Sequence, residues 1–233
     1  SLVDYRIVSL ESDGTLKVVR NESVTEIPYD NDGSNGRNNS NNTYCQWTEV
    51  DYGCNAWGAV NGIYITYTRS GTVTQDATIN TYLNENFYGT LAEEVKNVIV
   101  TKSYNISSNN ANYADIDLNR DALYDYMEGE YKKEWEGKIG LITARDWYMA
   151  DNGSGENHGV DNYLRNKIGC FWTMTPYMSD TSDVYAVMCG NNGDCGVGLE
   201  LAFNSNDVRP AFYLSSNIQL IGDGTSKSPY KIK

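Results

Sequence analysis

Five cysteines and a single histidine are the side chains of this 233-residue chain with the most reactive chemistry, and their settings limit what they can do. Cys189 and Cys195 flank Gly-Asn-Asn-Gly-Asp, and Cys45 and Cys54 flank a polar stretch. Neither spacing is a common zinc pattern. The turn-forming residues suit two short loop-closing disulfides in an oxidising compartment. Cys170 is then left over, either a small buried hydrophobe or a member of a different pairing; the expectation is that it is unpaired. His158 lies among Gly, Ser and Asn with no nucleophile-elbow motif near it, so it reads as a solvent-exposed loop residue rather than a general base.

Metal ligation has one candidate run. Asp115, Asp117, Asn119 and Asp121 alternate as in the first half of a calcium-binding EF-hand loop. The pattern then breaks, because Arg120 stands where glycine makes the turn and Tyr126 where a bidentate glutamate belongs. The run reads better as the acidic start of a helix over Asp121–Trp135, where carboxylates complement the helix dipole. Glu156 and Asp161, around a second glycine-rich loop, leave an irregular calcium site open, but no metal or cofactor is expected. With 31 acidic residues, chance carboxylate pairs are plentiful, and no aromatic-flanked pair points to glycoside hydrolysis.

Recognition is the activity that the side chains suit best. Trp172, Tyr177, Tyr185, Asn191, Asn192, Asp194, Asn204, Asn206 and Asp207 lie on or beside the terminal strands and loops. Tyrosine and tryptophan supply contact area at low entropic cost, and asparagine supplies adaptable hydrogen bonds, as in antibody paratopes. The other reading makes Trp172 and Tyr185 core residues and the asparagines plain turn formers. Arg209 before Pro210 reads as structural, a guanidinium pinning carbonyls or an acid at a strand edge.

The elements that must position these residues follow from local patterns. Tyr5–Leu10 and Thr15–Arg20 are β-rich runs joined by Ser12-Asp13-Gly14, a strong hairpin signal. Asp30 to Thr43 is nearly devoid of apolar side chains and reads as a long surface loop. From Ile79 to Val100, Leu83, Phe87, Leu91, Val95 and Ile99 form a helical stripe. Gly89-Thr90 divides it, and Thr90 with Glu93 has capping-box spacing. The helix over Asp121–Trp135 carries Leu123, Met127, Tyr131 and Trp135 on one face. Lys138–Ala150 is a strand running into a short helix, with Thr143 and Asp146 again at capping-box spacing. Strands near 171–175, 183–189, 197–203 and 208–220 close the chain, and the segregation of strands and helices predicts an α+β class.

Composition narrows the partners. A net charge of −13 without clustered Lys and Arg argues against nucleic acid and against an anionic membrane surface. The length suits one large domain over residues 1–233. The apolar fraction of 40%, with 19 tyrosines and 5 tryptophans, implies a core built on amphipathic aromatics. No signal peptide and no bilayer-spanning apolar run is visible in the sequence, which suggests that a leader or anchor has been removed.

Several stretches resemble a group of Gram-positive bacterial surface proteins that carry a type IV pilin-like leader and a domain related to the C-type-lectin-like fold. They are Lys17–Val24, Gly53–Gly58, Thr72–Leu91, Gly137–Ala150, Phe171–Tyr177 and the Val208–Asn217 end of the chain. Lys138–Ala150 also matches in form the strand-turn-helix segment of the formylglycine-generating branch of these folds. That resemblance implies a C-type-lectin-like domain, with short twisted antiparallel sheets, two to three helices and long polar loops, whose C-terminal half forms the ligand surface. The carbohydrate-calcium triplets of C-type lectins, Glu-Pro-Asn and Trp-Asn-Asp, are absent. The spacing of Cys189 and Cys195 departs from the copper-handling pair of the enzyme branch. The expectation is therefore an extracellular, non-enzymatic binding module on a bacterial surface or pilus, adhesin-like, with a protein or glycan ligand and no direct membrane contact by this domain. A structural subunit of a pilus-like assembly is the alternative, and an oxidase of the formylglycine-generating type or a cryptic hydrolase comes last.

Overall fold

The Ser12-Asp13-Gly14 hairpin forms as its residues dictate. Strands β1 (Tyr5–Leu10) and β2 (Leu16–Arg20) pair antiparallel. Gly14 takes φ +81°, and Asp13 Oδ1 accepts hydrogen bonds from both the amide and the hydroxyl of Thr15. The structure is a computed structural model that describes residues 3–31, 44–45, 53–60, 63–65, 70–107, 132–150, 162–165, 169–190, 195–222 and 231–232.

Along the chain follow β3 (Thr25–Pro28), β4 (Tyr64–Ile65) and β5 (Ser70–Gly71). Helix α1 covers residues 78–90, α-helical over Thr78–Thr81, π-helical over Tyr82–Phe87 and α-helical again over Tyr88–Thr90. Helix α2 (Glu93–Lys96) leads to β6 (Ile99–Val100), β7 (Lys102–Asn105), β8 (Glu134–Gly137) and β9 (Ile139–Gly140). After α3 (Ala144–Met149) come β10 (Gly169–Pro176), β11 (Asp183–Cys189), β12 (Cys195–Leu201), β13 (Ser205–Val208) and β14 (Ala211–Leu214). A short pair, β15 (Leu220–Ile221) and β16 (Lys231–Ile232), follows. The class is α+β, dominated by strands.

Two five-stranded sheets organise the molecule. The first has the order β1-β2-β14-β6, with β9 also on β14; the second has the order β12-β11-β10-β13-β3. Within the second sheet only the β10–β13 contact is parallel. A continuous series of rings runs through the main core, Trp172–Tyr29–Trp57–Trp135–Tyr104–Tyr213, with successive centroids 5.6, 6.0, 5.6, 5.6 and 5.2 Å apart. Most of these contacts are edge-to-face, the geometry that ring quadrupoles favour. A second core lies on the other face of β10 and β11, where Trp147 and Tyr148 of α3 pack with Phe171, Tyr185, Val187 and Val197.

Helix α3 starts where its sequence says it should. Thr143 accepts from the Asp146 amide and Asp146 accepts from the Thr143 amide, a complete capping box. The second such motif does not form. Thr90 ends α1 with its hydroxyl donating to the Phe87 carbonyl, and α2 is capped at Ala92 without a side-chain bond. The stripe over 79–100 is likewise interrupted. Leu83 and Phe87 are buried on α1, but Ile99 and Val100 leave helix and pair with Leu214 and Tyr213 of β14. The β-branched run Val98-Ile99-Val100-Thr101 suits a strand better than a helix. The π-helical turn contains a long-range side-chain contact. Asn84 on α1 gives its amide to Ile139 O and takes the Ile139 amide, pairing with β9 as a strand would.

Trp135 corrects the reading of a helix over Asp121–Trp135. It lies in β8, paired with Tyr104 of β7, where alternation of Glu134, Trp135 and Glu136 sends the indole inward. Leu123, Met127 and Tyr131 lie outside the described residues. The single strand expected over 208–220 is broken into the end of β13, β14 and the start of β15, with Pro210 between the first two.

Candidate binding surface

The second sheet presents the residues proposed for recognition, and its register decides which way each points. Cys170, Met188 and Gly196 share one row and one face, as do Trp172, Ala186 and Gly198; Phe171, Val187 and Val197 take the other face. Both faces are covered near the centre, so two of the expected ligand contacts are core. Trp172 is fully buried, with its indole N–H donating to Ile27 O at 2.9 Å. Tyr185 is buried under α3. Neither offers a surface to a ligand, a correction that follows from sheet pairing and not from residue type.

The loop between β10 and β11 carries Tyr177 and is held by a buried polar hub. Asn55, fully buried, donates through its amide to the carbonyls of Tyr177, Asp180 and Asp183 at 3.0, 2.7 and 2.8 Å. Its oxygen accepts from the Tyr44 hydroxyl. The neighbouring Cys54 is bonded to Cys45, and the Cys54 amide donates to Asp30 Oδ2. Asp30, expected to open a surface loop, is instead completely buried and also faces the amide of Thr78 at the start of α1. Gly53 makes this approach possible. At φ +70° a Cβ there would sit 2.5 Å from Asp30 O. The hub leaves Tyr177 half-buried, its ring edge-on to Tyr185 at 5.8 Å.

Strand β12 is the edge of this sheet, and among the described residues no strand pairs with its outer side. Leu199 on this strand is 36% exposed, and Phe203 in the turn after it is 37% exposed. Glu200 folds back on the edge, its Oε1 accepting from the Leu201 amide and from the Asn204 side chain. Asn204 and Asp207 are half-buried, and Asn206 is buried with no hydrogen-bond partner for its Nδ2. The tip of the β11–β12 hairpin is closed by the Cys189–Cys195 disulfide, a directly opposed cross-strand pair. Asn191, Asn192 and Asp194, between those cysteines in sequence, lie outside the described residues, as do His158, Glu156, Asp161 and the Asp115–Asp121 run. Among the described residues no group of three His, Cys, Asp or Glu could hold a metal ion.

Both cysteine pairs form as their spacing predicts, and Cys170 is free. Burial, then the charges of Glu200 and Asp207, push the Cys170 thiol up, away from the thiolate that chemistry at sulfur needs. Disulfides belong to an oxidising, extracellular-type environment. Among the described residues no helix is long and apolar enough to cross a membrane.

Acidity concentrates beside the exposed edge, which composition alone did not reveal. Burial, reinforced by Asp180 and Glu200, pushes Asp183 up to about 6. Its folded value lies above the ordinary value of about 3.9, so protonation favours the fold. That stabilisation is complete below about pH 4 and is lost as pH rises through about 6. Asp183→Asn is expected to stabilise the protein by about 1 kcal/mol at pH 7.5, the half-exposed site being screened, and by almost nothing at pH 4. Urea unfolding of both proteins at the two pH values checks this; an equal change at both would remove Asp183 as its cause.

Among protein-family models, residues 68–216 match Domain of unknown function (DUF6273). No curated protein and no solved structure matches the chain.

Proposed function

The chain belongs to the DUF6273 family, and we propose that it is a non-enzymatic binding module displayed on a bacterial surface, with a C-type-lectin-like domain that recognises a protein or glycan. The supporting observation is the outer side of the β11–β12 hairpin. Among the described residues the outer side of β12 is unpaired; Leu199 on that strand and Phe203 in the turn after it are exposed, and Tyr177 sits on the β10–β11 loop held by the Asn55 side chain. A held aromatic and an open strand edge are each prepared for contact at small entropic cost. Cys189 and Cys195 are bonded to each other as a hairpin staple, in keeping with a display role. A pilus-like structural subunit would use the same edge between copies, and a net charge of −13 on every copy opposes that packing.

The test is an array of glycans and extracellular proteins, followed by paired melting and binding curves. Tyr177→Ala and Leu199→Ser are expected to cost about 1 kcal/mol of stability or less and to weaken the captured ligand about tenfold. Asn192→Ala, between Cys189 and Cys195 in sequence, should likewise spare the fold and weaken binding. A ligand bound equally well by all three variants would place recognition elsewhere on the molecule.

A further inference from the structure

Arg209 is a buried cation whose donors are only partly used. It stands between β13 and Pro210, is 2% exposed, and its Cζ lies 4.6 Å from the centre of the Phe171 ring. Its Nε donates to Arg20 O at 3.0 Å and its Nη1 to Leu164 O at 2.8 Å. These bonds bear out the structural role that the Arg-Pro pair suggests. Nη2, however, is buried with no hydrogen-bond partner. A buried charged donor left unmade is expensive, because it has lost water and gained nothing.

A second guanidinium comes to the same place. Arg6 on β1 donates through Nη1 to Tyr163 O and through Nε to Asn21 Oδ1, and its Cζ lies 5.7 Å from the Tyr163 ring. Burial first, and the charge of Arg6 second, lower the Arg209 pKa to about 10, although Glu22 and Asp207 pull the other way. Two like charges therefore converge on adjacent carbonyls, Tyr163 O and Leu164 O, in a chain whose net charge is −13. Neither acid supplies a bond to Nη2. The contact of Arg6 with Tyr163 O is solvent-exposed, and the Tyr163 side chain is 51% exposed.

We propose that Arg6 and Arg209 form a carboxylate-binding site, in which the ligand takes the unused Nη2 of Arg209 and lies against the Arg6 guanidinium, with the Tyr163 ring at its rim. A carboxylate matches the planar fork of a guanidinium with two oxygens and neutralises the repulsion between the two arginines. A spherical halide satisfies the charge but not the fork. The site is distinct from the β12 edge and does not depend on it.

The experiment uses the full chain, labelled with nitrogen-15, and follows the arginine Nε–Hε signals while sodium acetate replaces sodium chloride at constant ionic strength. Saturable shifts of the Arg6 and Arg209 signals are expected. Arg6→Gln, a half-exposed change that spares the Arg209 clamp, should weaken acetate about tenfold, the value of one charge-assisted contact. Arg209→Lys keeps the charge and loses the fork, and should abolish saturation if it folds; Arg6→Gln decides the matter if it does not. Shifts that never saturate, or acetate bound equally by wild type and Arg6→Gln, would overturn the site. A failed array search for a ligand of the β12 edge leaves this result untouched, so the two readings fail separately.

Discussion

Trp172→Ala is expected to destabilise the protein by about 3–5 kcal/mol. The indole is completely buried at the centre of the second sheet, edge-on to Tyr29 at 5.6 Å, and its N–H donates to Ile27 O across to β3. Its removal leaves a cavity at one end of the aromatic series, and orphans a carbonyl on an edge strand. Trp172→Phe fills most of the volume but still loses the hydrogen bond, and is expected to recover more than half of the loss. Urea unfolding of the three proteins measures this. A loss below about 1 kcal/mol for the alanine variant would return Trp172 to the surface that its residue type first suggested.

The second large effect is expected where β2 meets α3. Lys17 is 5% exposed, and its Nζ lies 2.6 Å from Asp146 Oδ2 with the Tyr104 and Tyr213 rings 5.9 and 5.7 Å away. Burial by itself would lower the lysine pKa; the Asp146 charge leads the groups that outweigh it, and the net shift is upward. Asp146→Ala leaves a buried ammonium without its partner and also removes half of the Thr143 capping box, so about 3–5 kcal/mol should be lost. Lys17→Met removes the charge and keeps much of the volume, so its loss should be smaller. The sign of the pH dependence follows from the raised pKa. The stability from this pair is complete below the ordinary lysine value of about 10.4 and is lost as pH rises through the folded value. Wild type should therefore weaken at alkaline pH by a component that Lys17→Met lacks. Unfolding curves from pH 8 to pH 11 would show it, and identical alkaline profiles would mean that Lys17 is not held as an ion pair.

Features decided within a few residues were legible before any fold was known. The Asp13-Gly14 turn, the capping box of Thr143 and Asp146, and the disulfides closing short polar loops each depend on groups that meet whatever the rest of the chain does. The acidic composition and the α+β class were legible for the same reason, since they sum over local choices. Periodicity failed where two local structures compete. Ile99 continues a helical stripe yet is β-branched, and only β14 alongside it tips the balance to strand. Trp135 ends a plausible helical face, but pairing with Tyr104 makes it a strand residue.

Tertiary structure alone decided which polar and aromatic groups are surface and which are core. Trp172, Tyr185 and Asp30 have side chains suited to recognition or loops, and all three are buried: the first two because both faces of the second sheet are packed, Asp30 because Cys54 and the start of α1 close over it. Lys17 finds Asp146 across 129 residues, and Arg209 reaches Leu164 across 45. No local rule contains those distances. Burial and charge partners set both the raised pKa of Asp183 and the unused donor of Arg209, and a chain acquires these only when distant segments are packed together and water is removed between them.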